Sequence, residues 1–145
     1  MGDVTGDSPE AVEHIGFVLR LAYQRASANL SDAIGDSGIT PTQFQTLRRL
    51  AQRGELAQNE LGRSVGMPPA NIHRTVRQLL AAELVTTASS PSDARLTLVE
   101  LTRRGEGALR DVVPAAETAN ALTLSVLTPR EREAVMAGLW TLARG

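Results

Sequence analysis

Residues 56–85 read Leu56-Ala-Gln-Asn-Glu-Leu-Gly-Arg-Ser-Val-Gly-Met-Pro-Pro-Ala-Asn-Ile-His-Arg-Thr-Val-Arg-Gln-Leu-Leu-Ala-Ala-Glu-Leu-Val85. Gly66 falls where a turn needs a permissive backbone, and Pro68-Pro69 begin a new helix after it. Leu61, Val65 and Met67 are apolar, and Gly62 is small where two helices must cross closely. A short helix, a glycine turn and a second helix make a helix-turn-helix. The second helix, expected over about 69–82, divides into two faces. Ile72, Val76, Leu79 and Leu80 recur at helical spacing and are expected to face the core. The opposite face carries Ala70, His73, Arg74 and Arg77, flanked by Asn71 and Gln78, with no acid before Glu83. An ordinary solvated face more usually mixes acids with bases. This one suits a DNA major groove, where arginine grips guanine edges bidentately and asparagine or glutamine does so with adenine.

Downstream, Val85-Thr86-Thr87 and Leu96 to Leu101 are β-branched and apolar runs separated by a polar segment, Ser89 to Arg95. That pattern predicts a hairpin. Directly after a helix-turn-helix, a two-stranded ribbon with a polar tip makes a wing. Arg95 at such a tip can enter a narrow minor groove, where the potential is most negative, with Asp93 orienting its guanidinium through a bidentate pair.

Upstream, Thr40-Pro41-Thr42-Gln43 reads as a helix start with a capping box, and Phe44, Leu47 and Leu50-Ala51 give one face of a helix over about 41–52. Thr128-Pro129-Arg130-Glu131 repeats the device, and Ser8-Pro9-Glu10 is a weaker version. A first helix is expected over 9–34, with Ile15, Val18-Leu19 and Ala22 among its apolar contacts and Gly35-Asp36-Ser37-Gly38 ending it. After Gly54 a short extended link is expected. From Thr102 to Arg144 the pattern is helical, with a kink or break expected at Pro114. Val135, Met136, Leu139, Trp140, Leu142 and Ala143 cover more than one face of the last helix, and Ala115, Ala119, Leu122, Val126 and Leu127 precede them. Such helices are usually buried on more than one side, which favours a second copy of the chain over a thick monomeric core.

The chain has 145 residues, one domain's worth, and is 42% apolar, so it can bury a core. No apolar run reaches the ~18 residues of a membrane span. The first residues lack a basic-then-apolar signal, making a bacterial-type cytoplasm the expected compartment. Without cysteine there are no disulfides, Cys-based zinc sites or thiol redox chemistry within the chain. All fifteen basic residues are arginine, against sixteen acids, for a net charge of -1. That balance argues against indiscriminate coating of nucleic acid. From Arg63 to Arg104, however, six arginines face three acids, so the cationic excess lies between the second helix and the base of the hairpin.

In order of elements and in three local patterns, the chain resembles the MarR family of winged-helix regulators over nearly its whole length. The patterns are Ile39-Thr40-Pro41-Thr42-Gln43-Phe44, the helix through Arg74 and Leu79, and Asp93-Ala94-Arg95 leading through Leu98-Val99-Glu100-Leu101 into Thr102-Arg103-Arg104-Gly105. The last is the most specific, being similar to an Asp-x-Arg wing followed by Leu-Thr-x-x-Gly. The resemblance implies a mainly α fold with a small β-hairpin wing, a winged helix-turn-helix with N- and C-terminal dimerisation helices. It divides residues 1–145 into dimerisation helices at 9–34 and 102–145 and a DNA-binding lobe at 40–101. It makes Arg95 the minor-groove arginine, Asp93 its support and Arg74 the recognition-helix arginine. It further implies a triangular homodimer reading a pseudo-palindrome in double-stranded DNA, acting as a repressor relieved by a small aromatic or phenolic ligand. Phe17, Tyr23 and Phe44 are the candidate lining of that pocket. Ala57 stands where the family often has a Thr or Ser cap, Glu83 replaces a usual glycine, and Asn71 and His73 occupy positions often held by Ser or Thr.

Two other classes compete. An enzyme would need a catalytic constellation, yet His14 and His73 fall on different helices outside any metal-ligand spacing, and there is no Gly-rich phosphate loop or nucleophile elbow. Neither a cofactor nor a metal is expected. A winged-helix protein-interaction module without DNA binding would keep the core pattern and lose the cationic face, whereas Arg74, Arg77 and Arg95 remain.

Overall fold

The computed structural model describes residues 14–145. The Ser8-Pro9-Glu10 helix start, and residues 9–13 of the expected first helix, lie outside the described residues. Helix α1 spans Ile15–Ile34 and passes through a single 3-10 turn, Gly35–Ser37, that Gly38 closes at φ 76°. Helix α2, Pro41–Arg53, begins at the expected capping box: the Thr40 hydroxyl accepts from the Gln43 N–H, and the Thr40 N–H donates to Gln43 Oε1, both at 3.2 Å. Each such cap contributes about 1 kcal/mol by satisfying amides that would otherwise be orphaned.

The extended link after Gly54 is a two-residue strand, β1 (Leu56–Ala57), followed by α3 (Gln58–Ser64) and α4 (Pro69–Ala81). The turn between the helices is a Schellman motif built on Gly66 at φ 70°: Met67 N–H donates to Gly62 C=O and Gly66 N–H to Arg63 C=O. A Cβ on Gly62 would lie 2.9 Å from Ile72 Cγ2, so glycine there sets how closely α3 and α4 cross. Ile72, Val76 and Leu79 are buried as expected, and they join Phe44, Leu47, Leu50, Leu61 and Val99 in one core. Each contributes roughly 1.5–3 kcal/mol through burial. Leu80 departs from the expectation. It is 37% exposed, because Thr75 takes a place on the buried face with its hydroxyl bonded to the Asn71 carbonyl.

Strands β2 (Val85–Ser89) and β3 (Thr97–Leu101) form the expected hairpin, in a register that pairs Val85 with Leu101 and Ser89 with Thr97. The sheet has a third member that the sequence pattern did not reveal. β1 pairs with β3, giving the order β1-β3-β2 and joining the helix-turn-helix to the wing.

Helix α5 runs from Arg103 to Leu124, and α6 from Pro129 to Arg144 behind the Thr128 capping box. No break occurs at Pro114, which sits inside a continuous helix. Pro114 and Arg110 are both exposed, so the carbonyl that loses its donor to the ring faces water. The break falls instead at Ser125 to Thr128. α1 packs chiefly along α5, tied by Asn29 Nδ2 to Thr123 Oγ1 at 2.9 Å. Ile15, Val18, Leu19 and Ala22, the expected apolar contacts of α1, are all exposed within the single chain, and Ile34 alone is buried on α1. α6 has no buried residue, and Val135, Met136, Leu139, Trp140 and Leu142 are open to solvent. No helix of the described residues is long and apolar enough to cross a membrane.

Candidate nucleic-acid interface

The buried stripe of α4 fixes which residues face outward. Ala70, His73, Arg74, Arg77, Gln78 and Ala81 are exposed together and line an open groove of about 520 Å³. Asn71 is exposed too, but it lies toward a second, larger cleft, which Arg74 and Gln78 share. Within α4 itself no acidic side chain is present, so the outward field is that of arginines and amide donors.

Two side chains of this face are held from neighbouring elements. Gln43 Nε2 donates to Gln78 Oε1 at 3.1 Å, reaching from the first turn of α2. Gln58 Nε2, at the start of α3, stands 3.5 Å from His73 Nδ1. Sequence reasoning used Gln43 only as a cap and gave Gln58 no role. The partners are 35 and 15 residues apart, so no local pattern signals them.

At the wing tip the expected pair is present. Arg95 Nε and Nη2 donate to the two carboxylate oxygens of Asp93 at 3.1 and 3.2 Å, and the Arg95 N–H donates to Asp93 Oδ1 at 3.0 Å. The guanidinium, and then the backbone N–H, hold the Asp93 carboxyl below the ordinary carboxylate pKa. The Arg95 side chain is 90% exposed, so a short loop projects an oriented cation into solvent.

The Leu101 to Gly105 segment bolts wing to body. Thr102 caps α5 by accepting from the Gly105 N–H and donates its hydroxyl proton to the Glu83 carbonyl at 2.7 Å. A Cβ on Gly105 would collide with the Leu84 carbonyl oxygen. Glycine is therefore required three residues after the cap, because α5 starts against the backbone that leaves α4.

The larger cleft, about 1380 Å³, lies among α1, α2, α4, α5 and α6. Tyr23 and Phe44 line it, as do Arg48 and Arg49, to which the sequence pattern assigned no role, and Trp140, expected only as part of an apolar helix face. Phe17 is not one of its walls; with the rest of the first half of α1 it is exposed. Among the described residues Arg49 Nε is buried without a hydrogen-bond partner, and no cluster of His, Asp or Glu could hold a metal.

A model of the MarR family matches residues 37–96. The HTH-type transcriptional repressor NicR of Pseudomonas putida is 35% identical over 127 residues, covering 88% of this chain and 80% of that protein. The chain belongs to the MarR family. It is thereby a DNA-binding transcriptional regulator. Its fold is similar to that of a probable transcriptional regulator from Pseudomonas aeruginosa, at 37% identity and a TM-score of 0.82 over 90% of this chain and 97% of that one. It is also similar to Bordetella bronchiseptica BpsR, whose DNA binding is regulated by 6-hydroxynicotinic acid, at 30% identity and a TM-score of 0.85 over 95% and 99%. Against the MarR-family pattern, Ala57 leaves α3 without a side-chain cap, and Glu83 adopts φ 61°, the left-handed conformation that a glycine there would adopt freely.

Proposed function

We propose that this MarR-family chain is a cytoplasmic, ligand-responsive homodimeric repressor in which residues 1–145 act as one domain. The observation that carries the reading is the acid-free face of α4 beside a wing tip whose Arg95 is pre-oriented by Asp93. In this reading α4 enters the major groove with His73, Arg74, Arg77 and Gln78 at base edges, Asn71 at its margin and Arg95 in the flanking minor groove. Two copies joined through α1, α5 and α6 cover the exposed apolar faces of those helices and set the two α4 helices one DNA turn apart, ~34–36 Å, over a pseudo-palindrome. The wide cleft takes a small aromatic effector, with Tyr23 and Trp140 on its walls and Arg49 Nε as the donor that an anionic substituent would satisfy. BpsR, with its aromatic acid ligand, supports that part by similarity.

The test is binding of the purified protein to fragments of its own gene's upstream region across a salt series. Affinity for one fragment is expected to exceed that for scrambled DNA and to fall steeply with salt, as each neutralised phosphate releases counterions. Arg95→Ala is expected to weaken binding at matched salt and flatten A/T preference beside the core site. Salt-insensitive binding, or none to any fragment, refutes the reading.

A further inference from the structure

Gln43 makes two hydrogen bonds of opposite polarity with one amide. A backbone N–H can only donate, so the Gln43 oxygen must face Thr40. Its NH2 group then faces Gln78, and because NH2 also only donates, Gln78 must answer with its oxygen. The polarity of a side chain in the α4 groove is thus dictated from the first turn of α2. The two ends of a planar amide point apart, so Gln78 turns its N–H donors away from Gln43.

We infer that Gln43 is a specificity-determining positioning residue that fixes Gln78 as a donor, so that Gln78 reads keto bases. The inference rests on α4 lying in the major groove. There guanine O6 and thymine O4 are acceptors, while adenine N6 and cytosine N4 are donors at the same places on the base edge. A glutamine free to rotate pairs bidentately with adenine, using its oxygen on N6 and its nitrogen on N7. Gln43 takes one of the two lone pairs of the Gln78 oxygen and anchors that end of the amide toward α2, which disfavours the bidentate approach to adenine because that approach needs both ends of the amide along one base edge. At the other braced residue, Gln58 Nε2 lies 3.5 Å from His73 Nδ1. Arg74 and Arg77 are donors by nature.

Gln43→Glu inverts the brace and leaves the cap. Glutamate at this helix position serves a capping box as well as glutamine, so one carboxylate oxygen still accepts from Thr40. The other can only accept, which draws in the Gln78 NH2 and turns its oxygen outward. Full-length wild type, Q43E, Q78A and the double variant Q43E/Q78A are each used to select duplexes from a random pool at one salt concentration. Wild type is expected to enrich guanine or thymine at one position per half-site. Q43E is expected to enrich adenine or cytosine there, with a change in relative preference of about fivefold or more, the lower end for one base-edge contact. Q78A loses preference at that position, and the double variant matches Q78A. The added negative charge lowers affinity for all sequences alike, so base preference is the readout.

An unchanged base in Q43E, or a switch that persists without Gln78, overturns the inference while the groove assignment stands. A wild-type protein that enriches no site overturns the groove assignment and this inference with it. If Q43E fails to fold, Q43A supplies the same decision: the released Gln78 should accept adenine alongside the keto bases, and an unchanged keto preference refutes the brace.

Discussion

Replacing Glu83 with glycine is expected to stabilise the fold. Helix α4 ends in a second Schellman motif, with Leu84 N–H donating to Leu79 C=O and Glu83 N–H to Leu80 C=O. Glu83 occupies the left-handed position of that motif at φ 61°. Holding a side chain there costs about 1–2 kcal/mol, which glycine removes. Glycine also widens the unfolded ensemble, an opposing effect of about 0.4–1 kcal/mol. The lost ion pair with Arg104, 3.6 Å apart and largely exposed on both sides, contributes at most about 0.5 kcal/mol. The Glu83 carbonyl that accepts from Thr102 is backbone and survives the change. The net is a gain of about 0.5 kcal/mol, or ~2 °C in Tm for a domain of this size. Glu83→Ala is the informative control, since it loses the same ion pair and keeps the backbone conformation. Thermal melts followed by circular dichroism at fixed protein concentration should place the glycine variant about 1 kcal/mol above the alanine variant. Equal melting of the two would refute the assignment of strain to this residue.

At Gly105, alanine drives a methyl group into the Leu84 carbonyl, and a loss of about 3 kcal/mol, or ~10 °C in Tm, is expected in the same melts. At the wing, Arg95 lowers the folded-state pKa of Asp93, so the pair is intact at neutral pH and is lost only as pH falls through that lowered value. The Asp93 carboxyl resonance should titrate below that of an unfolded-chain aspartate, and Arg95→Ala should raise it toward the ordinary range by removing the guanidinium, the larger cause, while the backbone N–H of residue 95 keeps part of the lowering. On the apolar face, Leu139→Glu or Leu19→Glu places a charge where a second copy is expected, and light scattering should register a fall from two chains to one. Arg74→Ala should relax base preference at one position by about 1–3 kcal/mol in a selection experiment.

The elements that were legible in the sequence are those whose cause is local. Thr40 and Thr128 carry their caps within four residues, and Gly66 its turn within five, so both helix starts and the helix-turn-helix could be placed. The Asp93–Arg95 pair spans two residues and was equally readable. Illegible features join distant segments. β1 is two residues long, too short for any periodicity, and exists because Leu56 and Ala57 meet Val99 and Leu98. Pro114 was read as a kink or break because proline removes a hydrogen bond, but the helix continues through it, on a face turned to water where the freed carbonyl can be solvated. Leu80 matched the apolar spacing, yet a threonine satisfied by its own helix took the buried place. The first half of α1 was legible as an apolar face, since spacing shows that a face seeks cover without showing which chain provides it.

The position of the cleft bears on how an effector would act. Arg74 and Gln78 border both the outward groove of α4 and the cleft behind it, so the two sites share side chains and not only a helix. A ligand that engages either side chain from the cleft withdraws it from a base edge, and DNA that engages it withdraws it from the ligand. The coupling free energy is reciprocal: a ligand that weakens operator binding tenfold is itself bound tenfold more weakly by the operator-bound protein. A mechanism of this kind requires no subunit rotation. It predicts that shortening Arg74 to alanine reduces both operator affinity and the size of the ligand's effect, whereas a mechanism carried wholly by dimer geometry would leave the ligand's effect intact on the weakened complex. Titrating the effector against wild type and Arg74→Ala at equal operator occupancy separates the two.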